Sequence, residues 1–286
     1  MRYAAPTSVA EARDLLTANP GSRVFAGATD LIPQIRSGRP EPSVMIDLKR
    51  IDQLVGVGHQ DGGWVVGAAT PTSALTHNRD FKAMFPGLCE ASGLIGSDQI
   101  QNRSSWGGNL CNASPAADSV PALIVNDAKA VVAGADGTRT VDVADVATGP
   151  GQTSLDDGEF IVEFTVADAP AHTGDAYLRM IPRTEMDIAV VGAAVRLTLD
   201  GDTVSAASVV LGAVAPTAVR VSDAEQALVG STLDNDTLAA VAQACSAVCN
   251  PVNDKRGTIE YRKQVAGVLA KRAALKAAER ARNGAV

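Results

Sequence analysis

The sequence predicts an α+β protein of two domains, and three observations predict it. Signals in the first part alternate as helix, strand, helix, strand and then give way to tight hairpins. The last third changes character, to a β-meander followed by three helices. Between them lies "ADAPAHTGD", a stretch of small and turn-forming residues that puts the boundary near residues 169–174. A chain of 286 residues is long enough for two such domains.

The elements can be justified in order. Thr7 or Ser8 caps a first helix, with Glu11 in its opening turn and Val9, Ala12, Leu15 and Leu16 as its apolar stripe. Residues 24–26 make a short strand that runs into a glycine turn, a brief helical segment and a break at Ser37-Gly38. "SVMIDLKRI" is the next strand. "LVGVGHQDGGWVVGAAT" contains G-x-G, but a strand and not a helix follows, so it reads as a β-hairpin rather than a dinucleotide fingerprint. "TPTSALTHNRDFKAMFPGLCEASGLI" is helical, capped by Thr70 or Thr72. The next stretch, "QIQNRSSWGGNLCNASPAAD", fits neither helical nor strand periodicity.

Strands follow at residues 129–133 and 138–141 around the turn Ala135-Asp136-Gly137, and "EFIVEFTVA" alternates Phe160, Val162, Phe164 and Val166. The meander turns at Asp200-Gly201-Asp202. Helices then occupy "DAEQALVG", "NDTLAAVAQACSAV" and "TIEYRKQVAGVLAKRAALKAAERA". In the last, Ile259, Val265, Val268, Leu269, Arg272 and Leu275 recur at helical spacing.

Composition excludes several classes of function. With 46% hydrophobic and 20% charged residues the chain is globular, and at 3% aromatics its core must be built of small and branched aliphatics. No apolar run reaches the length of a membrane span, and the N-terminus carries acidic residues instead of a signal core. A net charge of −7 argues against nucleic acid. Nine basic and two acidic residues fall between Lys255 and Val286, however, so this end carries +7 and the remainder −14. That end is either a docking surface for an acidic partner or a solvated helix face. Cys89, Cys111, Cys245 and Cys249 fit neither a disulfide framework nor a zinc site, and a reducing cytoplasm is expected.

Catalytic side chains are scarce. His59, His77 and His172 fall in turns or at loop edges, and no serine, thiol, metalloprotease or P-loop motif appears. What remains is two glycine turns, "VFAGATDL" and "SSWGGNL", whose exposed N–H groups could form concave anion sites. Glycine turns usually only turn the chain. Two of them, one inside a stretch rich in hydroxyls and amides, favour a ligand with a diphosphate, and composition goes no further.

"AGATDLIPQIRSG" together with "QIQNRSSWGGNLCNASPAADSVPAL" resembles the paired FAD-binding segments of the medium subunit of the xanthine dehydrogenase/carbon monoxide dehydrogenase family. The likeness continues through "YLRMIPRTEMDIAVVGAAV", "GAVAPTAVRVSDAEQALVG" and "NPVNDKRGTIEYRKQVAGVLAKRAAL", covering nearly the whole chain. It implies a two-subdomain FAD-binding domain of the vanillyl-alcohol-oxidase (PCMH) type over residues 1–172, with subdomains about 1–55 and 56–172. A smaller α+β domain of the CO dehydrogenase flavoprotein type, an antiparallel sheet plus helices, would occupy 173–286. The resemblance places Val24, Phe25, Ala26, Gly27, Ala28, Thr29, Asp30 and Leu31 on one side of the FAD diphosphate. Ser105, Trp106, Gly107, Gly108 and Asn109 would lie on the other side. Asp118 falls near the ribose and diphosphate, Ile95 against the isoalloxazine, and Leu155 and Arg179 at further flavin contacts, Arg179 as a possible counter-charge to reduced flavin.

Two positions depart from the family pattern. Ala28 replaces a usual glycine, and Trp106 a usual isoleucine or leucine. The cysteine-rich insertion that carries a 4Fe–4S cluster in some relatives is absent, so no metal is expected on this chain. The implied partners are a large molybdenum-cofactor (molybdopterin) subunit and a small subunit with two 2Fe–2S clusters, in a dimer of heterotrimers. Electrons would pass from those clusters to FAD and on to a quinone, oxygen or NAD. That division of labour suits a chain without acid–base residues. Two other readings stay open: a self-contained flavin oxidase or reductase of the same superfamily, and a scaffold that has lost its flavin.

Overall fold

The computed structural model describes residues 1–284. The chain opens with β1 (Arg2–Ala4), α1 (Val9–Ala18), β2 (Arg23–Phe25), α2 (Leu31–Arg36) and β3 (Val44–Asp47). β1 and β2 flank β3 in a three-stranded parallel sheet. α1 begins as its sequence requires. Ser8 Oγ accepts from the Glu11 N–H at 3.1 Å, and the Glu11 carboxylate accepts from the Thr7 N–H at 2.8 Å. β1, three residues with an exposed Tyr3, is too short to show an alternation and is not evident in the sequence.

The second subdomain starts with the hairpin β4 (Val57–Gln60) and β5 (Gly63–Gly67). Its turn residues Asp61 and Gly62 take φ of 52° and 77°, which matches the twist of the flanking strands. The stretch from Thr72 is three helices and not one: α3 (Thr72–His77), α4 (Arg79–Met84) and α5 (Pro86–Gly93). Asn78 stops the first and caps the second by accepting from the Phe81 N–H, and Pro86 opens the third. The polar stretch that follows is helical in short pieces, α6 (Asp98–Gln101) and α7 (Trp106–Cys111), before α8 (Ser119–Val125). Helices of one or two turns are too brief to print a period on the sequence.

β6 (Lys129–Gly134), β7 (Gly137–Asp142), the two-stranded β8 (Ala147–Gly149) and β9 (Gln152–Thr153), and β10 (Phe160–Ala167) complete this half. The main sheet is antiparallel in the order β4-β5-β10-β6-β7. β10 belongs to both subdomains. Phe160 and Val162 pack with Ala12, Ile46 and Leu54 of the first, Phe164 and Val166 with Phe81, Leu88 and Trp106 of the second. A bulge between Ile161 and Glu163 accompanies the change of neighbours.

The last part is β11 (Thr173–Met180), β12 (Val191–Asp200), β13 (Thr203–Gly212), β14 (Val219–Arg220), α9 (Ser222–Leu228), α10 (Asn235–Ala247) and α11 (Ile259–Arg282), with the sheet in strand order. α11 lies on β11 and β12 with an alanine face. Ala266, Ala270, Ala273, Ala277 and Ala281 are fully buried. Of the periodic residues noted in its sequence only Leu269 is buried, while Ile259, Val268 and Leu275 are exposed. Small side chains win the inner face because the backbones nearly touch: a Cβ on Gly174 would sit 2.3 Å from the Ala277 carbonyl oxygen.

Three carboxylates join this part to α5 and α8. Asp175 of β11 accepts from the N–H groups of Gly87 (2.8 Å) and Leu88 (3.0 Å) and from Asn126 Nδ2 (3.0 Å), capping α5 from another element. Glu90 of α5 accepts from Lys276 and Arg280 of α11, both at 2.5 Å. Asp118 accepts from the Tyr177 hydroxyl and from Arg179 Nη1, each at 2.8 Å.

Candidate cofactor cleft

A cleft of about 700 Å³ opens between the two subdomains. Three segments wall it, residues 21–31 after α1, residues 104–112 around α7 and residues 151–160 leading into β10, and residues 39–42 beyond α2 add to the lining. Every residue from Val24 to Leu31 lines it, as do Ile95, Ser105, Gly108, Asn109 and Leu155.

The first wall is held from behind. Lys49 Nζ donates to the Ala26 carbonyl at 2.6 Å and to Asp47 Oδ1 at 2.5 Å, and lies 4.6 Å from the centre of the Phe25 ring. Beyond Ala26 the backbone turns sharply, with Ala28 at φ 56°. Among the described residues, the N–H groups of Gly27, Ala28, Thr29, Asp30 and Leu31 donate to no protein acceptor. Five consecutive donors left open at the rim of a cavity need an acceptor from outside, from solvent or an anionic ligand. Asp30 adds a carboxylate with no side-chain partner, and burial pushes its pKa above the ordinary aspartate value.

Gly27 owes its identity to the opposite wall. A Cβ there would lie 1.9 Å from the Arg103 carbonyl oxygen, so only glycine lets the two walls meet. Across the cleft, Ser105 caps α7 by accepting from the Gly108 N–H at 3.1 Å. Asn109 accepts with Oδ1 from the Ser119 hydroxyl at 2.6 Å, which leaves its Nδ2 donor without a protein partner among the described residues. Gln34 Nε2 donates to Asn112 Oδ1 at 2.8 Å and ties the two walls together.

Four of the residues that the family pattern assigns to the cofactor do not line this cleft. Gly107 packs against the sheet, where a Cβ would come within 2.6 Å of the Ala68 carbonyl oxygen, so the glycine pair divides into one residue for packing and one for the cleft. The Trp106 ring is buried among Phe81 and Phe164, edge-on to the latter at 5.7 Å, and its Nε1–H donates to Ser92 Oγ at 2.9 Å. That accounts for tryptophan at this position: it fills the core behind the cleft. Asp118 and Arg179 are paired with each other, and Arg179 also donates to the Leu94 carbonyl at 2.8 Å, beside Ile95. Burial pushes the Asp118 carboxyl up to about 6, against the downward pull of Arg179 and Tyr177.

The family pattern did not mark residues 21–23, Gln34, residues 39–42, Ser104, Cys111, Asn112 or the third wall apart from Leu155. A signal for that wall exists in "SLDDGEF", a polar turn with Gly158 at φ 90° just before the central strand. His59, His77 and His172 are all exposed and lie away from the cleft.

Two α/β subdomains meeting at a cleft rimmed with open backbone donors, followed by a sheet-and-helix domain, define a protein built to hold an extended anionic cofactor. Residues 1–167 match the family described as FAD binding domain in molybdopterin dehydrogenase, and residues 176–277 match the CO dehydrogenase flavoprotein C-terminal domain; the chain belongs to this family of FAD-binding dehydrogenase subunits. It is 34% identical over 272 residues to the carbon monoxide dehydrogenase medium chain of Hydrogenophaga pseudoflava, covering 95% of this chain and 94% of that one. It is 30% identical over 272 residues to the xanthine dehydrogenase FAD-binding subunit of Escherichia coli O157:H7, covering 94% and 93%. A chain of the solved structure of the Hydrogenophaga pseudoflava carbon monoxide dehydrogenase that lacks the Mo-pyranopterin moiety superposes with a TM-score of 0.94, at 35% identity and 98% coverage of both chains.

Proposed function

We propose that this chain is the electron-transferring medium subunit of a molybdenum hydroxylase complex. It would hold FAD with the diphosphate against residues 27–31 and receive electrons from 2Fe–2S clusters on a small partner subunit. The organic substrate would be oxidised at a molybdenum cofactor on a large one, and a dimer of heterotrimers is the expected assembly. The observation that carries this reading is the run of five open N–H groups at the first wall, facing the free Asn109 amide across the cleft.

When bound, FAD supplies the step between one-electron iron–sulfur donors and a two-electron acceptor such as a quinone, oxygen or NAD. The chain's own residues bind and orient. The open N–H groups of residues 27–31 would donate to phosphate oxygens, Asp30 would offer an acceptor to a hydroxyl, and Ile95 and Leu155 would give the cleft its apolar lining. No histidine lines the cleft, and its carboxylates, Asp30 among them, stand on the same walls as the open N–H donors. A cytoplasmic location suits a chain whose four cysteines are all unpaired.

The test is flavin and metal analysis of the complex purified through a tag on this chain. FAD together with co-purifying molybdenum and iron supports the assignment. FAD without those metals would sink the subunit reading, and a colourless chain after incubation with excess FAD would sink the flavin reading itself.

A further inference from the structure

The outer face of α11 carries large apolar side chains among polar ones, Gln264, Arg272 and Glu279. Its inner face is alanine, whereas Tyr261, Val268 and Leu275 are 39%, 40% and 43% exposed. Seven residues make about two helical turns, so these three lie on one line about 20 Å long. Each is more than a third exposed, although smaller or polar side chains would serve at a helix surface. Val252, in the segment that leads into α11, is 68% exposed.

Charge says what covers this line. No acidic residue occurs between Tyr261 and Ala278. Arg272 shares the line and Lys271 flanks it, and neither has a carboxylate within 4.0 Å among the described residues. The neighbouring Lys276 and Arg280 differ, since both are taken up by Glu90. Pairing α11 with the same helix of a second copy would bring these unpaired cations together, so charge opposes a symmetric dimer through this face. Nucleic acid would satisfy the cations but not the tyrosine, valine and leucine beside them.

We infer that the outer face of α11 is a docking surface for a different protein chain, one that presents an apolar ridge edged by Asp and Glu carboxylates. This goes beyond the cofactor cleft and does not depend on it, since α11 contributes no residue to the cleft.

The test uses the complex purified through a tag on this chain and treated with a water-soluble carbodiimide, which joins an amine to a carboxylate it touches. An amide between Lys271 and an Asp or Glu of a co-purifying chain is expected. In Leu275→Glu that cross-link should disappear and recovery of the co-purifying chain should fall at least about tenfold, as for loss of a central interface residue, while melting temperature and FAD content stay unchanged. Val229→Glu, at an equally exposed position just after α9, should keep both. The inference is overturned if Lys271 cross-links only to another copy of this chain, if it cross-links to nothing, if no chain co-purifies, or if Leu275→Glu retains the partner within twofold.

Discussion

Gly27 and Ala28 are neighbours in the chain but opposite in what they ask of the backbone. Gly27 is fixed by the Arg103 carbonyl pressed against it, so Gly27→Ala should part the two walls. Its expected effect is a loss of at least about 2 kcal/mol of stability and of bound flavin, read by thermal melting and by absorbance after gel filtration. Ala28 sits at φ 56°, where a Cβ is strained. Ala28→Gly should therefore stabilise the chain by roughly 0.5–1 kcal/mol, the strain relieved less the entropy glycine loses on folding. A lower melting temperature in that variant would show that the turn is not strained as the dihedral implies. Trp106→Phe removes the donor to Ser92 and part of a buried ring, and should cost about 2 kcal/mol without changing the flavin content. A drop in flavin with stability intact would place the indole at the cofactor after all.

At the scale of elements, α5 and α8 are the pieces through which the two domains grip each other, and the carboxylates at these contacts give opposite pH signatures. Glu90, held below its ordinary range by Arg280 and Lys276 in spite of burial, contributes stability that is complete above about pH 5 and is lost as pH falls through its folded value. Asp118, pushed up to about 6 by burial, contributes most below about pH 4 and loses that contribution as pH rises through about 6. In urea unfolding, the deficit of Glu90→Gln should thus shrink on acidification. The deficit of Asp118→Asn should narrow between pH 4 and pH 7, by as much as about 3 kcal/mol. A deficit that widens over that range would mean that Arg179, not burial, governs the carboxyl.

The same scale shows what could be read beforehand. The capping box of α1 and the Asp61-Gly62 turn are local chemistry, written in adjacent residues. The inner face of α11 is not. Its alanines are selected by the closeness of β11 and β12, and a hydrophobicity count ranks them below Ile259, Val268 and Leu275, which face outward. For the cleft, the glycine turns marked two walls, but the partner of Gly27 lies some seventy-five residues away in sequence, and no pattern within either turn could name it.

In the whole molecule the domains are joined by buried charge and by a helix lying across a sheet. Asp175, fully buried, takes two N–H groups from α5, and burial still leaves its carboxyl above the usual aspartate value. Removing it should uncouple the halves: a calorimetric scan of Asp175→Ala is expected to split one unfolding transition into two, whereas the unaltered chain melts as one. Two well-separated transitions in the unaltered chain would count against this coupling.

The cleft has one more property, and it concerns time rather than space. Its walls come from residues 21–31, 104–112 and 151–160, and the strand that follows the last wall joins the cores of both subdomains. A ribosome releases these segments in sequence over many seconds, so a nascent chain meets the cofactor as an open rim before it offers an enclosure. Chains arrested before β10 emerges should leave flavin free in solution, and those arrested well past it should retain it. The order of the walls along the chain would hold cofactor capture back until β10 has emerged.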